Sequence, residues 1–251
     1  MSKYSIHAKA RPLAELLSLA LLAFAAATPA SAAWDCGDKA KHGIDLAQSL
    51  NLGQLKIQLR DYRYCGAYEA DFAARVGEAI AYLKEHGSEE PNPAIVLDID
   101  ETSLSNWQEI EQDDFGFIPG GPCTLDPGIA CGDANWELSA RATVLKPTLE
   151  LFNLARAMMI PVFFITGRRD KPDLRAATIK NLNDAGYDGW QDLIMRPLDS
   201  QGPVAPYKSG EREKIEKKFR IILNVGDQQS DLDGGFAKKT VRVPNPFYFI
   251  P

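Results

Sequence analysis

Histidine is scarce in this chain, and its scarcity excludes several kinds of active site. The 251 residues include three histidines, His7, His42 and His86, and none of them stands in a motif with other catalytic or metal-binding residues. A histidine nucleophile and a histidine-rich dinuclear metal site both need more than isolated residues of this type. The sequence therefore argues against enzymes that depend on either.

The chain also lacks an apolar run long enough to cross a bilayer. The apolar stretch from Leu16 to Ala27 has 12 residues, whereas a membrane-spanning helix needs about 20. Three basic residues precede it and the small residues of Pro29–Ala33 follow it, an arrangement typical of a cleaved secretory signal. We predict a signal peptide at 1–32, a mature start at Ala33, and a secreted or periplasmic protein. An uncleaved anchor is the alternative.

No stripe of basic residues interrupts the sequence. Removal of 1–32 takes away three positive charges and one negative charge, which changes the formal net charge from −6 to −8. This balance does not favour a nucleic acid polymer as partner, nor stable membrane association after signal cleavage. Small phosphorylated compounds stay possible, because local basic residues and metal ions decide their binding.

The four cysteines lack the spacing of a zinc site. Cys36, Cys65, Cys123 and Cys131 contain no Cys-x-x-Cys unit, and no histidine is close to the last two. An even number of cysteines in an exported chain predicts two disulfides, although three pairings are possible. Proximity in the sequence favours Cys36 with Cys65 and Cys123 with Cys131.

Two regions follow the predicted signal, and the second contains an insertion. Residues 33–91 have apolar residues at helical spacing, so we expect an N-terminal helical extension. Residues 92–251 read as an α/β domain, and the glycine- and proline-rich segment at about 103–145 is longer than a crossover requires, which predicts an inserted cap. Further helices are predicted around Asn135–Arg141 and at Pro147–Met158, Pro172–Ala185 and Ser209–Lys218.

Two aspartates stand at the end of an apolar strand. In the segment from Ala94 to Thr102, Asp98 and Asp100 are two residues apart, and such positions on an extended backbone point to the same side. Two neighbouring carboxylates repel each other in a low dielectric unless a cation lies between them. The pair predicts a site for a divalent cation, although Asp-x-Asp also occurs at helix caps and turns.

Two further apolar strands end in polar clusters. Pro161–Ile165 precedes Thr166-Gly167-Arg168, and Arg220–Val225 precedes Gly226, Asp227 and, four residues later, Asp231. Continuous apolar strands separated by helices indicate a parallel sheet covered on both faces, with the ligand crevice beyond the carboxyl ends of the strands. All three clusters are expected at that edge.

These motifs, in this order, resemble the haloacid dehalogenase (HAD) superfamily, and in particular its secreted acid phosphatases of the class C, subfamily IIIB and plant vegetative storage protein type. The resemblance rests on Leu97–Asn106, Ile165–Arg168, Tyr207–Ser209, Gly226–Leu232 and Val243–Ile250. It implies an α/β fold with a HAD-like, doubly wound parallel sheet of the Rossmann type. The first 90 residues contribute nothing to it.

The resemblance also implies roles for individual residues. Asp98 would be the nucleophile, forming an aspartyl phosphate, and Asp100 the general acid and base. Thr166 and Lys208 would complete the catalytic set by contacting the transferring phosphoryl group.

Substrate and metal ligands follow from the same likeness. Gly167 and Arg168 would join Thr166 and Lys208 in binding the substrate. Mg²⁺ would take oxygen ligands from four aspartates. These are the carboxylates of Asp98 and Asp227, the backbone carbonyl of Asp100, and Asp231 directly or through water.

Simpler interpretations stay open for several of these residues. Thr166–Arg168 is also an ordinary turn, Lys208 a surface lysine, and Asp227 with Asp231 a helix cap. Arg168 binds either phosphate or a surface carboxylate. The aromatic residues of the predicted cap either form a stacking platform or fill the core; they are Trp107, Phe115, Phe117 and Trp136.

The function predicted is an exported, Mg²⁺-dependent acid phosphatase that hydrolyses small phosphomonoesters through an aspartyl phosphate. A phosphotransferase or nucleotidase using the same site is one alternative, and a non-catalytic storage or binding protein of the same fold is another. The sequence predicts neither the physiological substrate nor the oligomeric state.

Overall fold

The computed structural model describes residues 51–250. The predicted signal peptide, the mature start at Ala33 and Cys36 lie outside these residues. In chain order the elements are α1 (Leu52–Tyr64), α2 (Ala67–His86), β1 (Pro93–Leu97), β2 (Leu104–Ser105), α3 (Trp107–Gln112), α4 (Asp133–Ser139), β3 (Thr143–Val144), α5 (Lys146–Ala157), β4 (Val162–Arg169), α6 (Pro172–Asp184), β5 (Asp192–Arg196), α7 (Val204–Glu216), β6 (Arg220–Gly226), α8 (Gln229–Leu232) and β7 (Lys239–Arg242).

A five-stranded parallel sheet forms the centre of the molecule. Its strand order is β5-β4-β1-β6-β7, and every neighbouring pair is parallel. From β1 the chain moves outward in one direction to β4 and β5, and in the other to β6 and β7. The carboxyl ends of β1 and β6 therefore flank the point where the order reverses, the usual ligand position in such sheets. The predicted doubly wound α/β fold is confirmed.

Apolar side chains cover both faces of the sheet. Ile95 and Leu97 of β1 face a core that includes residues of α2, α5 and α6, whereas Ala94 and Val96 face a smaller cluster that includes Ile215 of α7. This alternation is the two-residue period of a strand. Because both faces are buried, the strands are continuously apolar and only their ends carry polar groups.

Two helices precede the sheet within the described residues. The side-chain oxygen of Asn51 accepts a hydrogen bond from the backbone N–H of Gln54 and caps α1. Gly66, at φ +84°, separates α1 from α2, a left-handed conformation that glycine adopts without strain. The helical spacing within residues 51–86 therefore belongs to two helices, and α2 packs against the sheet.

The segment between β1 and α5 holds β2, α3, α4 and β3. Strands β2 and β3 pair in antiparallel orientation. A disulfide joins Cys123 to Cys131, as the spacing predicted, and rules out a zinc site at these two cysteines. Cys65 is disulfide-bonded as well, while its predicted partner Cys36 lies outside the described residues.

Several predicted boundaries differ from the structure. The helix predicted to start at Ser209 begins at Val204, because the preceding Pro203 is extended and stands at its N-cap. Strand β4 continues through Thr166-Gly167-Arg168, because Thr166 and Arg169 pair with β5, so the ordinary-turn interpretation of this motif is wrong. No helix in the described part of the chain is long and apolar enough to span a membrane.

Candidate active site

A cavity of about 610 Å³ opens at the carboxyl ends of the central strands. Its floor includes Asp98 after β1, Asp227 after β6 and Lys208 from α7. Residues of α3, α4 and the chain segment 247–250 form its walls. The sheet edge thus brings together the polar clusters that the sequence placed at three strand ends.

Lys208 is the cation at the floor of this cavity. Its Nζ donates to Oδ1 of Asp98 at 2.5 Å and to Oδ1 of Asp231 at 2.6 Å. All three side chains are buried, so Lys208 is not the surface lysine of the simpler interpretation. Loss of water lowers the pKa of the Lys208 ammonium, but the two carboxylates outweigh this effect and raise it above its usual value. Lys208 therefore carries its charge at neutral pH.

Burial raises the pKa of Asp98 well above its usual value, and the charge of Asp231 raises it further, while Lys208 opposes both. The backbone N–H of Asp98 donates to the Val225 carbonyl, and its carbonyl accepts from the Ser103 hydroxyl. The backbone here is thus anchored to β6 and to the following turn. A carboxylate held in this way has its position defined before any ligand arrives.

Asp227 is held by three hydrogen bonds. Its Oδ1 accepts from the Thr102 hydroxyl, and its Oδ2 accepts from the side-chain amides of Gln228 and Asn245, both at 2.7 Å. Burial and the nearby Asp231 raise the pKa of Asp227 to about 6. Such contacts fix the orientation of a ligating carboxylate.

The carboxylates of Asp98, Asp227 and Asp231 can each direct one oxygen to a common point, since these oxygens lie within 4.8 Å of one another. When ionised, three carboxylates and the Lys208 ammonium carry a net charge of −2, which is costly in a buried site. An oxygen-only ligand set with this charge fits a hard divalent cation such as Mg²⁺. The carboxyl of Asp100 is not in this cluster, so Asp100 would ligate a metal only through its backbone carbonyl, and its carboxyl stays available for another role.

Asp231 combines two functions. Its Oδ2 accepts from the backbone N–H of Gln228 at 2.8 Å, in a capping box at the start of α8. Its Oδ1 accepts from Lys208. The helix-cap interpretation of Asp231 is therefore right for one oxygen, while the other faces the site.

Asp100 is paired with Arg168. Arg168 donates to Asp100 from Nε at 3.1 Å and from Nη2 at 2.6 Å, and the Asn106 amide donates to Oδ1 at 3.0 Å. Burial alone would raise the pKa of Asp100, but Arg168 and Asn106 lower it below its usual value. Arg168 is itself buried and lies 3.5 Å from Glu137, so it pairs with carboxylates of the cavity and not with one on the surface.

Thr166 and Gly167 lie beside this pair. The Thr166 hydroxyl is 3.5 Å from Asp100 and accepts the backbone N–H of Arg168 at 3.1 Å. Thr166 is fully buried, whereas Gly167 lines the cavity. Every residue predicted for catalysis or substrate binding is thus in one cluster, although its assigned role stays a prediction.

Sequence reasoning missed several side chains that contact the candidate site residues. Thr102, Asn106, Gln228 and Asn245 each bind a candidate catalytic or metal-binding carboxylate, and Glu137 contacts Arg168. The first four stand inside motifs that carried the family resemblance, so their position in the motif was a usable signal. Glu137 lies in α4, where nothing in the sequence distinguishes it from a surface glutamate.

The predicted cap contributes three carboxyl groups to the cavity wall. Burial, followed by nearby carboxylates, raises the pKa of Glu109 to about 9. Burial also raises the pKa of Asp133 to about 6 and that of Glu137 to about 8, the latter against the effect of Arg168. Glu109 and Asp133 are close enough to affect each other's pKa, and Glu109, whose pKa is raised to about 9, keeps its proton at neutral pH.

As pH rises, the Glu109→Gln variant should therefore lose less folding stability than the wild type does. Because the pKa of Glu109 is higher in the folded protein, the folded state binds more protons and wild-type stability falls as pH rises from about 5 to 9. Glutamine keeps the size of the side chain but carries no proton to lose. Thermal unfolding across this pH range should show the variant gaining about 2 kcal/mol over wild type.

The exposed Glu150 of α5 supplies the control for this measurement. Glu150→Gln should leave the pH dependence unchanged. Parallel stability curves for Glu109→Gln and wild type would contradict the assignment of a retained proton to Glu109.

The four aromatic residues of this segment divide into two groups. Trp107 and Trp136 are buried in the core, as the core-filling interpretation expects. Phe115 is half-buried and Phe117 is 73% exposed, and both line the cavity. The stacking-platform interpretation therefore stays open for these two phenylalanines.

A family model described as HAD superfamily, subfamily IIIB (Acid phosphatase) matches residues 29–251. The chain belongs to this family. Its activity is accordingly that of a phosphoric monoester hydrolase.

Similar proteins agree with this assignment. The phosphatase is 30% identical to "Acid phosphatase 1" of Solanum lycopersicum over 196 residues, 76% of this chain and 73% of the relative. It is 37% identical to "Vegetative storage protein 2" of Arabidopsis thaliana over 162 residues, 62% of this chain and 56% of the relative. Its fold is similar to a class C acid phosphatase from Bacillus anthracis with tungstate bound, with a TM-score of 0.61 at 22% identity, covering 79% of this chain and 85% of that one.

Proposed function

We propose that this phosphatase is an exported, Mg²⁺-dependent enzyme that hydrolyses small phosphomonoesters through an aspartyl phosphate on Asp98. One observation carries the proposal. A buried carboxylate lies at the floor of a cavity, with one oxygen held by Lys208 and two further carboxylates close enough to share a divalent cation. Export is proposed from the N-terminal sequence alone.

The first half of the reaction transfers the phosphoryl group to the protein. An oxygen of Asp98 forms a bond to phosphorus while the ester P–O bond breaks, and the leaving oxygen takes a proton from the Asp100 carboxyl. In the second half water attacks phosphorus, Asp100 takes a proton from that water, and the bond from Asp98 to phosphorus breaks. Lys208 offsets the negative charge of the phosphoryl group.

Arg168 connects substrate binding to the state of Asp100. Without substrate its guanidinium lowers the pKa of Asp100, which is then ionised and cannot act as an acid. A phosphate dianion is a stronger partner for a guanidinium than a carboxylate is. We infer that Arg168 turns toward the phosphoryl group when substrate binds, and that Asp100 then regains a proton.

Mg²⁺ would be held by Asp98, Asp227, the backbone carbonyl of Asp100 and Asp231, directly or through water. When bound, it supplies positive charge that offsets the negative charge on the phosphoryl oxygens. Asp227 would be the ligand whose orientation is most constrained by the protein, because three side chains donate to it.

Removal of the metal should silence the enzyme and lower its stability. After treatment with EDTA we expect activity to fall by about 100-fold or more, and added Mg²⁺ to restore it. Because a ligand of the folded state stabilises it, Mg²⁺ should also raise the thermal midpoint of the wild type. In Asp227→Asn this rise should be much smaller, whereas the exposed Asp233→Asn should respond as the wild type does. Activity that is indifferent to chelation would contradict the metal site.

Hydrolysis is favoured over the two alternatives. The charged side chains of Asp98, Lys208, Asp227 and Asp231 converge at the floor of one cavity. Storage alone does not require such an arrangement. A phosphotransferase would share the same intermediate, so the products must separate the two activities. Phosphate release from nucleoside monophosphates, sugar phosphates and aryl phosphates, with and without added alcohol, tests both points: no release would support storage, and phosphorylated alcohol as the main product would support transfer.

A further inference from the structure

Helix α4 contacts the two side chains that lie closest to the Asp100 carboxylate, Asn106 and Arg168. The indole Nε1–H of Trp136 donates to Oδ1 of Asn106 at 2.8 Å, and the Asn106 amide donates to Asp100 at 3.0 Å. The next residue of α4, Glu137, lies 3.5 Å from Arg168, which is the second group on Asp100. One helix of the predicted cap therefore reaches the proposed general acid by two routes.

The route through Asn106 is buried and has a defined direction. Trp136 is 1% exposed and Asn106 is 7% exposed, so little of either side chain is accessible to water. An indole can only donate, so the Asn106 oxygen must face Trp136 and its amino group must face Asp100. The backbone N–H of Asn106 also donates to Glu101 at 2.5 Å, which fixes the main chain at this residue.

The contact of Asn106 with Asp100 does not depend on Arg168. Without the Arg168 guanidinium, the Asp100 carboxyl is held by Asn106 at Oδ1, 3.0 Å away, and by the more distant Thr166 hydroxyl at Oδ2, 3.5 Å away. The amide of Asn106 points at the same oxygen, Oδ1, and does not compete for phosphate as a guanidinium does. An interaction that restricts a reacting group to one orientation can contribute a large part of its effect on rate.

We propose that Asn106 and Trp136 are positioning residues that keep the Asp100 carboxyl directed at the leaving oxygen, through the buried chain of hydrogen bonds from the Trp136 indole to the Asn106 amide and on to Asp100. This inference rests on the proposed function, in particular on Asp100 as the acid. It assigns to helix α4 a task in the protonation of the leaving group in addition to forming the cavity wall.

The test compares two esters whose leaving groups differ in their need for protonation. Asn106→Leu keeps the size of the side chain and removes both hydrogen bonds. For glycerol 2-phosphate, whose alkoxide must be protonated as it leaves, we expect kcat to fall by about 10- to 100-fold. For 4-nitrophenyl phosphate, whose leaving group needs little protonation, the fall should be about 3-fold or less. Trp136→Phe should change the ratio of the two substrates in the same direction and by less.

Asn135 supplies the matched control. It is an exposed amide on the same helix and donates to the Gly121 carbonyl of a loop. Asn135→Leu should leave the ratio of the two substrates unchanged. In the double variant of Asn106 and Trp136, the change in this ratio should be no larger than for Asn106→Leu alone, because both substitutions break one chain of hydrogen bonds.

The possible results distinguish failure of the proposed function from failure of the positioning role. If the wild type hydrolyses neither ester, the proposed function fails. If the wild type is active but Asn106→Leu and Trp136→Phe slow both esters equally, or slow neither, the positioning role is overturned. Thermal unfolding identifies a variant that does not fold, in which case the ratio measured for the other variant decides.

Discussion

Asp98→Asn is expected to lower kcat by about 10⁴-fold or more, because the amide cannot form the bond to phosphorus on which the proposed reaction depends. The loss should be similar for aryl and alkyl esters, since departure of either leaving group requires the bond that Asp98 forms to phosphorus. Wild-type protein quenched in acid during turnover should carry a phosphoryl group on Asp98, which peptide mass spectrometry detects, and the variant should carry none.

The same substitution should not destabilise the metal-free protein. Asn keeps the size of the side chain, and burial together with Asp231 already raises the pKa of Asp98. Replacement by a neutral group removes a repulsion, so the thermal midpoint in EDTA should stay at or above that of the wild type at pH 7. The exposed Asp173→Asn is the control and should keep full activity. Near-normal turnover of Asp98→Asn would refute the assigned nucleophile.

Lys208→Met is expected to damage both activity and stability. It removes the ammonium that lies between Asp98 and Asp231 and leaves two buried carboxylates without their shared partner. Loss of one member of a buried ion pair typically costs about 3–5 kcal/mol, and urea unfolding in EDTA should show a destabilisation of this order. Activity should fall by about 10³-fold or more, since the charge opposite the phosphoryl group is lost.

Addition of Mg²⁺ shows whether the destabilisation of Lys208→Met is electrostatic or comes from poor packing of the methionine. A divalent cation between the carboxylates supplies the charge that methionine lacks, so Mg²⁺ should stabilise Lys208→Met more than it stabilises the wild type. Lys214→Met, on the same helix but exposed and paired with Glu211, should resemble the wild type in both measurements. Equal stability of the two methionine variants in EDTA would contradict the buried charge network.

The three strands that carry the site could be predicted from the sequence because each is an uninterrupted apolar run that ends in polar residues. Strand β5 and strand β7 gave no such signal. Asp192–Arg196 has only three apolar residues, and Lys239–Arg242 has one buried residue among exposed ones. Both are edge strands, whose outer backbone faces no neighbouring strand, so burial does not impose a continuous apolar pattern on them.

The candidate site was predictable as a set of residues but not as a set of contacts. Aspartates at the ends of parallel strands must lie near one another, and a family resemblance adds Lys208. The partner of Arg168 was left open between phosphate and a carboxylate, and the structure places it on Asp100 and Glu137. These contacts of Arg168 depend on how the segment after β1 and helix α4 lie against strand β4. No local sequence pattern encodes that arrangement.

By itself the sequence determined which residues end the buried strands, and therefore that several carboxylates collect at one edge of a parallel sheet. The tertiary structure alone decided how their charges are paired. Lys208 meets Asp98 across 110 residues of chain, and the Trp136 indole meets Asn106 across 30. Strand ends follow from local patterns of burial, whereas contacts between distant side chains depend on how the helices pack over the sheet.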